Sequence, residues 1–256
     1  MEKILEVCNL RKCFQRKKEI TTVLNDISFC VKKGEFVGLV GKSGCGKSTL
    51  ARIITRLVDA DDGSVKLLGW RDILKLSGKN LQQVYADVQL IFQHPREAFN
   101  PRKTLGWSIS EILVNRNFTK TEADERLDHL LKQVGLSQSF AARYPHEVSG
   151  GECQRAAIAR AIALSPALLV CDEATSALDV TVQAQIMDLI KSLCRKSAIA
   201  CLFISHDLAL LQQYCDRLIV MHDGKIVEEG KTEQVIKQPQ SQYTRELMCA
   251  DFFNLM

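Results

Sequence analysis

Eight residues near the start of the chain have the types and spacing of an anion-binding loop. They read GKSGCGKS over residues 41–48 and fit the pattern G-x-x-x-x-G-K-[ST]. The glycines let backbone N–H groups turn toward phosphate oxygens, and a helix that starts after them adds a favourable dipole. An ordinary glycine turn would also fit, but the strand pattern before the loop and the helical pattern after it favour phosphate binding. Lys47 can reach the outer phosphates, and the Ser48 hydroxyl can ligate Mg²⁺. The predicted contacts are Gly41, Ser43, Gly44, Cys45, Gly46, Lys47, Ser48 and Thr49.

Two adjacent carboxylates end an apolar run that reads ALLVCDE. Asp172 is placed to hold Mg²⁺ through a water molecule. Glu173 is placed to orient or deprotonate an attacking water. An Asp-Glu pair at a strand end is often only a solvated surface, so the pair gains its catalytic meaning from the phosphate loop.

A third pattern, VSGGECQR, occupies residues 148–155. Ser149 is predicted to cap a helix, with Glu152 at the capping-box position. Gly150 and Gly151 would allow a phosphate to approach the helix N-terminus closely. The pattern therefore predicts a second anion site, although a well-capped helix alone would give the same residues.

The elements that position these residues follow from the hydrophobic pattern. Residues 4–37 predict strands and turns, and EFVGLV before the loop is typical of a buried parallel strand. Residues 95–165 predict helices, one of which begins with a capping box at Thr119 and Glu122 and ends at Gly135. Strand and helix patterns alternate after that stretch, which predicts a parallel sheet covered on both faces.

Composition limits the possible class of protein. The chain has 256 residues, is 46% hydrophobic and 25% charged, and carries a formal net charge of +4. These values are typical of a globular protein, and the mild charge does not require nucleic acid. Its ten cysteines form no CxxC pair, which indicates free thiols in a reducing cytosol. No apolar run approaches the 18 residues or so of a membrane span, and the N-terminus lacks an apolar signal core.

The order of phosphate loop, VSGGE and Asp-Glu resembles the ABC ATPases, over essentially the whole chain. The resemblance implies that Phe14 stacks on adenine, and the alternative for this residue is a phenylalanine of the core. It implies that Gln93, in LIFQHP, contacts Mg²⁺ and senses the transporter. It also implies a D-loop at residues 176–179 and a switch histidine at His206, which would contact the γ-phosphate.

The patterns and the resemblance together predict one α/β domain over residues 1–256. Its centre would be a P-loop NTPase core, with a mostly parallel sheet and helices on both faces. We expect this core and an N-terminal antiparallel β subdomain to occupy about 1–94 and 166–256. An inserted α-helical subdomain that carries VSGGE would occupy about 95–165.

The resemblance also implies partners. In this family two ATPase subunits clamp two ATP molecules, with the phosphate loop of one facing the signature of the other. We therefore expect a second ABC ATPase subunit in a heterodimer with a homologous chain, two membrane permease subunits and an extracytoplasmic solute-binding protein. The chain would act at the cytoplasmic face of a bacterial membrane, with ATP and Mg²⁺ as cofactors and without nucleic acid.

Glu152 and Val148 depart from the usual LSGGQ signature. Glutamate suits a helix cap, but it brings negative charge close to a phosphate held by another subunit. The hypothesis is that this charge weakens or tunes the composite site. Cys45 in the loop and Cys153 in the signature are expected to make activity sensitive to thiol reagents.

The segment FQHPREAFNPR, residues 92–102, resembles the peptide and nickel importer subfamily. His94 departs from its usual Asp. The tail PQSQYTREL resembles the same subfamily, and GKSGCGKSTLAR and NPRKT resemble the second ATPase subunit of nickel importers. The chain stops soon after this tail, without the cysteine-containing extension of many peptide-importer ATPases. We therefore expect nickel or metal–chelator uptake, with oligopeptide or dipeptide uptake as the alternative.

Two other classes of protein compete with an importer ATPase. A soluble ABC-type ATPase that acts on nucleic acid or ribosomes usually carries a long coiled coil or two nucleotide domains, and neither pattern is present. A regulatory module without activity would not need the complete set of Lys47, Asp172, Glu173 and His206. Co-purification with membrane permeases would indicate an importer ATPase, and co-purification with ribosomes or DNA would indicate the soluble ATPase. ATP turnover by the assembled complex, abolished by Glu173→Gln, would exclude the regulatory module.

Overall fold

A computed structural model describes residues 2–16, 19–69, 72–176 and 178–253. Its first sheet is antiparallel and has the order β2-β1-β4. These strands are β1 (Lys3–Arg16), β2 (Glu19–Lys32) and β4 (Asp62–Leu67). The sequence pattern predicted strands in the first two segments. β4 was not predicted, because it joins the sheet from beyond the phosphate loop.

The second sheet holds the strands that lead into the candidate site. Its order is β5-β6-β7-β3-β8-β9, and only the β8–β9 pair is antiparallel. The strands are β3 (Phe36–Val40), β5 (Val88–Ile91), β6 (Leu168–Asp172), β7 (Ala200–Ile204), β8 (Arg217–His222) and β9 (Lys225–Lys231). The predicted α/β fold with a mostly parallel sheet is confirmed.

Helices connect these strands, and three of them fall within the stretch predicted to be helical. The helices are α1 (Lys47–Ile54), α2 (Gly78–Asp87), α3 (Leu105–Val114), α4 (Lys120–Gln133), α5 (Gly150–Ile162), α6 (Val180–Ser197), α7 (Leu208–Tyr214), α8 (Thr232–Lys237) and α9 (Gln242–Phe253). The predicted capping box of Thr119 and Glu122 begins α4. No helix among the described residues is long and apolar enough to cross a bilayer.

Apolar residues fill both faces of the central sheet. Successive side chains of a strand point to opposite faces, so Phe36 and Val37 enter different apolar clusters, as do Leu168 and Leu169. One cluster lies under α3 to α7, and the other joins α1 and the antiparallel sheet to the opposite face. This burial on both sides explains why the strands read as continuous apolar runs instead of alternating ones.

Arg217, at the start of β8, ties the two sheets together. Its Nε donates a hydrogen bond to Glu35 Oε1 at 2.8 Å and its Nη2 donates to Glu35 Oε2 at 3.2 Å. The same guanidinium also bonds to Glu229 on β9 and to the Cys30 carbonyl on β2. Because Glu35 directly precedes β3, Arg217 fixes the antiparallel sheet against the strand that carries the phosphate loop.

Three neighbouring strands deliver the candidate site residues to one edge of the central sheet. Leu39 in β3 pairs with Ile204 in β7, and Asp172 in β6 pairs with the same residue. Parallel strands end at the same edge, so the segments that follow β3, β6 and β7 emerge side by side. The phosphate loop, the Asp-Glu pair and His206 are thereby brought together.

Candidate functional site

The loop between β3 and α1 curls into a cradle that only glycine fits at two positions. Gly46 has φ +107°, and a Cβ there would lie 2.7 Å from the Val23 carbonyl oxygen. A Cβ on Gly41 would lie 2.2 Å from the Met221 carbonyl oxygen. The loop therefore packs against its neighbours too closely for any side chain at these positions, which leaves its backbone free to face a ligand.

Lys47 folds back across the loop and is only 6% exposed. Its Nζ donates hydrogen bonds to the Gly41 carbonyl at 2.6 Å and to the Lys42 carbonyl at 3.1 Å. The Cys45 N–H also donates to the Lys42 carbonyl, at 3.3 Å. The loop carbonyls thus hold the ammonium group over the cradle, where it can neutralise the charge of a phosphate.

Ser48 and Asp172 form a pair of oxygen ligands. The Ser48 hydroxyl donates to Asp172 Oδ1 at 3.0 Å. Burial raises the pKa of Asp172, and the neighbouring Glu173 raises it further, while the bond from Ser48 opposes the rise. A cation beside Asp172 would relieve this cost, and a hydroxyl with a carboxylate is the donor set that Mg²⁺ prefers. These residues therefore fit a magnesium ion.

Glu173 and His206 lie next to the loop. Glu173 has φ +48° and donates its N–H to the Ile204 carbonyl at 3.0 Å, which turns its side chain out of the sheet. His206 Nδ1 lies 3.4 Å from Glu173 Oε1. A cavity of about 150 Å³ brings Glu173 together with the loop, and it is lined by Val23, Ser43, Gly44, Gly46, Lys47, Ser48, Thr49 and Glu173. The predicted general base and the predicted phosphate-binding loop thus share one cavity.

Gln93 reaches the same region through a serine. Its Nε2 donates to Ser176 Oγ at 3.1 Å, and Ser176 Oγ donates to the Glu173 carbonyl at 3.0 Å. These two hydrogen bonds connect the segment after β5 to the backbone of Glu173, the predicted base. Sequence reasoning placed Ser176 only in a D-loop and missed this link, and Ala177 of that loop lies outside the described residues.

The VSGGE segment begins α5 as predicted, with a complete capping box. The Ser149 N–H and hydroxyl both donate to Glu152 Oε2 at 2.8 Å, and the Glu152 N–H donates back to Ser149 Oγ at 3.3 Å. Hydrogen bonds from the Ser149 N–H and then its hydroxyl lower the pKa of Glu152, so the carboxylate is ionised at neutral pH. A Cβ on Gly151 would lie 2.8 Å from Val182 Cγ1.

Within the described part of the chain, the signature and the phosphate loop are not brought together. Ser149, Gly150, Gly151 and Glu152 are absent from the lining of the loop cavity. The signature residues lie instead at the N-terminus of α5, where Ser149 is the capping residue. Among the described residues, the predicted second anion site and the phosphate loop therefore do not share a cavity.

Phe14 is on the surface of the antiparallel sheet. Its side chain is 43% exposed, so it does not belong to the core, and Lys12 Nζ lies 5.2 Å from its ring centroid. An exposed ring is free to stack on a flat ligand. The same sheet contributes Val23 to the loop cavity. Sequence reasoning missed Val23, because an apolar strand residue carries no chemical signal.

The expected thiol sensitivity has little physical basis in this structure. Cys45 is 6% exposed and Cys153 is fully buried. Burial raises the pKa of the Cys45 thiol and raises that of Cys153 to about 11. Since the thiolate is the reactive form, burial and the raised pKa both disfavour reaction of these two thiols near neutral pH, whereas Cys249 is exposed.

Comparison with known proteins identifies the family. The family model for the ABC transporter matches residues 24–176, which is more than half of the chain. This chain belongs to the ABC transporter family. It is an ABC ATPase whose ATP-binding cassette couples ATP hydrolysis to transport, as the sequence predicted.

Curated relatives of this ABC ATPase are named for peptide import. The glutathione import ATP-binding protein GsiA of Pectobacterium atrosepticum is 45% identical over 257 residues, which cover 97% of this chain and 41% of GsiA. The oligopeptide transport ATP-binding protein OppF of Escherichia coli K12 is 41% identical over 96% of this chain and 74% of OppF. The chain thus spans less than half of GsiA and about three quarters of OppF.

Solved structures share the fold of this ABC ATPase. The dimeric ATP-binding cassette MJ0796, in a post-hydrolysis state with ADP and Pi, has a TM-score of 0.81 at 29% identity, over 90% of this chain and 99% of that chain. CbiO1 of Clostridium perfringens, part of the ABC transporter complex cbiONQ, has a TM-score of 0.82 at 25% identity, over 100% of this chain and 99% of that chain. The predicted ABC ATPase fold is confirmed.

Proposed function

We propose that this chain is the ATP-hydrolysing subunit of an ABC importer for oligopeptides or small peptides such as glutathione. One observation carries the enzymatic part: the carboxyl ends of β3, β6 and β7 bring Lys47, the Ser48–Asp172 pair and Glu173 to a single edge. The names and the extent of similarity of the relatives support the cargo. The nickel preference rested on short segments such as NPRKT, whereas GsiA and OppF are named for glutathione and oligopeptides.

In this proposal, different residues of the site bind the nucleotide, hold the metal ion and activate the attacking water. Lys47 and the N–H groups of residues 43–49 bind the β- and γ-phosphates, and the exposed ring of Phe14 stacks on adenine. Ser48, Asp172 and Gln93 would hold Mg²⁺, which would supply positive charge to the phosphates. Glu173 orients a water molecule and accepts its proton. His206 steadies the Glu173 carboxylate and contacts the γ-phosphate.

A second subunit completes the site. The loop and the signature of this chain are separate half-sites, so Ser149, Gly150, Gly151 and Glu152 serve a nucleotide held by a homologous partner. The comparison with MJ0796, solved as a dimer, supports this arrangement. Two permeases and a solute-binding protein complete the importer, with this subunit at the cytoplasmic face. Residues 95–165 form the helical subdomain that carries the signature.

Uptake by the reconstituted importer tests the cargo. The complex of this chain with its co-purified permeases, binding protein and second ATPase is placed in vesicles and supplied with a labelled peptide or with ⁶³Ni²⁺. We expect uptake of peptide that depends on ATP and is lost in Glu173→Gln. ATP-dependent uptake of nickel without uptake of peptide would overturn the proposed cargo.

Glu152→Gln is expected to raise the ATP turnover of the assembled complex, by about two- to tenfold at subsaturating ATP. The glutamine keeps an oxygen that can accept from Ser149, but it removes the negative charge from the helix N-terminus that faces the partner's phosphate. Glu122→Gln is the matched control, because Glu122 makes the same capping contacts with Thr119 at the start of α4. Equal kinetics of Glu152→Gln and Glu122→Gln would refute the tuning hypothesis.

A further inference from the structure

The last described helix, α9, reaches the phosphate loop from the far end of the sequence. The Lys42 N–H donates a hydrogen bond to the Tyr243 hydroxyl at 3.0 Å. The Tyr243 ring stacks on His222, with 3.9 Å between ring centroids and 19° between planes, and is only 8% exposed. The Lys42 ammonium lies 5.9 Å from the centroid of the same ring. Tyr243 is thus a buried side chain whose polar end touches the loop.

The bond from Lys42 fixes the peptide unit that holds Lys47. The Lys42 N–H and the Gly41 carbonyl belong to one planar peptide group and point in opposite directions. Tyr243 accepts from the N–H side of this group, while Lys47 Nζ donates to its carbonyl side at 2.6 Å. A rotation of this peptide would move the oxygen that aims the ammonium group. The Tyr243 hydroxyl and the Lys47 ammonium group are therefore connected through the Gly41–Lys42 peptide group.

The start of α9 is itself held in place. Glu228 on β9 accepts hydrogen bonds from the Gln240 N–H at 2.9 Å and the Ser241 N–H at 3.0 Å. Further along the helix, Leu247 and Met248 are buried in the apolar cluster under α3 to α7. Tyr243 consequently contacts the loop from a helix that is fixed by hydrogen bonds and by apolar packing.

We propose that Tyr243 is a positioning residue that orients Lys47 for the phosphates of the bound nucleotide. This inference rests on the proposed function, since it needs a nucleotide in the loop. Loss of the hydroxyl leaves the ring stack with His222 in place and releases only the Gly41–Lys42 peptide. The effect is therefore expected on phosphate binding by Lys47 and not on the stability of α9.

Calorimetric titration of the purified full chain with MgADP tests the proposal. We expect Tyr243→Phe to weaken MgADP binding by about three- to tenfold, the range of one hydrogen bond. Tyr214→Phe is the matched control: Tyr214 is also a buried tyrosine, and its hydroxyl bonds to Asp188 Oδ1 at 2.9 Å, outside the loop. Tyr214→Phe should leave MgADP affinity within about twofold of the wild type.

A double variant separates positioning from a general structural effect. If Tyr243 acts through Lys47, adding Tyr243→Phe to Lys47→Ala should change MgADP affinity by less than about twofold. The full loss appearing again in that background would overturn the proposal, as would wild-type affinity in Tyr243→Phe alone. Absence of MgADP binding by the wild-type chain would instead refute the proposed function.

A measurement on the wild-type chain keeps the proposal testable if Tyr243→Phe does not fold. Hydrogen exchange at single-amide resolution should show the Lys42 N–H protected, because its acceptor is a buried hydroxyl. Exchange of this amide as fast as that of exposed loop amides would overturn the inferred contact.

Discussion

Glu173→Gln should reduce ATP turnover of the assembled complex by at least about a hundredfold while MgATP binding stays close to that of the wild type. The amide keeps the size of the side chain but cannot accept a proton from water. In the proposed mechanism, phosphate binding depends on Lys47 and the loop backbone, which this change does not touch. Single-turnover ATP hydrolysis and nucleotide binding, measured on the same preparation, separate the two effects.

Two comparisons sharpen this prediction. Glu122→Gln makes the same chemical change at the cap of α4, outside the cavity, and should keep full turnover. His206→Gln should produce a smaller loss than Glu173→Gln, because His206 lies 3.4 Å from the carboxylate and acts beside it. Turnover of Glu173→Gln above a tenth of the wild-type value would mean that another group is the base.

Arg217→Met is expected to lower the free energy of unfolding by about 2 to 4 kcal/mol, since it leaves a largely buried carboxylate without its partner. The Arg217 and Glu35 side chains are each 15% exposed. Lys237→Met is the control, because its pair with Glu233 is 67% and 77% exposed and should be worth less than about 1 kcal/mol. Denaturant titration gives both values. Equal losses in the two variants would contradict the assigned role of Arg217.

The Arg217 pair also gives stability a pH dependence. Burial alone would raise the pKa of Glu35, but hydrogen bonds from Arg217 and the Lys32 N–H hold it below its ordinary value. A lowered folded-state pKa stabilises the fold above the ordinary carboxyl pKa, and this stabilisation is lost as the pH falls through the folded-state value. Wild-type stability should therefore decline more steeply than that of Arg217→Met on acidification through that range.

Sequence patterns predicted the parts of the site that are contiguous in the chain. The phosphate loop and the Asp172–Glu173 pair are each recognisable from residue types at fixed spacing, next to an apolar strand. The spacing of Ser149 and Glu152 predicted a capping box in the same way, and the structure contains this capping box. Local spacing is enough in these cases, because the chemistry is carried by neighbours in sequence.

Contacts between distant segments could not be predicted from spacing. Val23 reaches the cavity because the antiparallel sheet folds against the loop, and Ser176 links Gln93 to Glu173 through two hydrogen bonds. Tyr243 meets Lys42 across a separation of 201 residues. The cargo could not be predicted for another reason: the proposed role of these residues is to bind nucleotide, so none of them would determine which cargo is transported.

The position of β3 inside the central sheet has a consequence for the newborn chain. This strand leaves the ribosome before any other strand of its sheet, yet its two hydrogen-bonding neighbours are β7 and β8. A nascent chain cannot pair β3 on both sides until residues through Val220 have been synthesised. Until then, the apolar residues of β3 remain exposed to solvent. We expect ribosome-bound fragments that stop before β7 to recruit chaperones and to be readily cleaved by proteases.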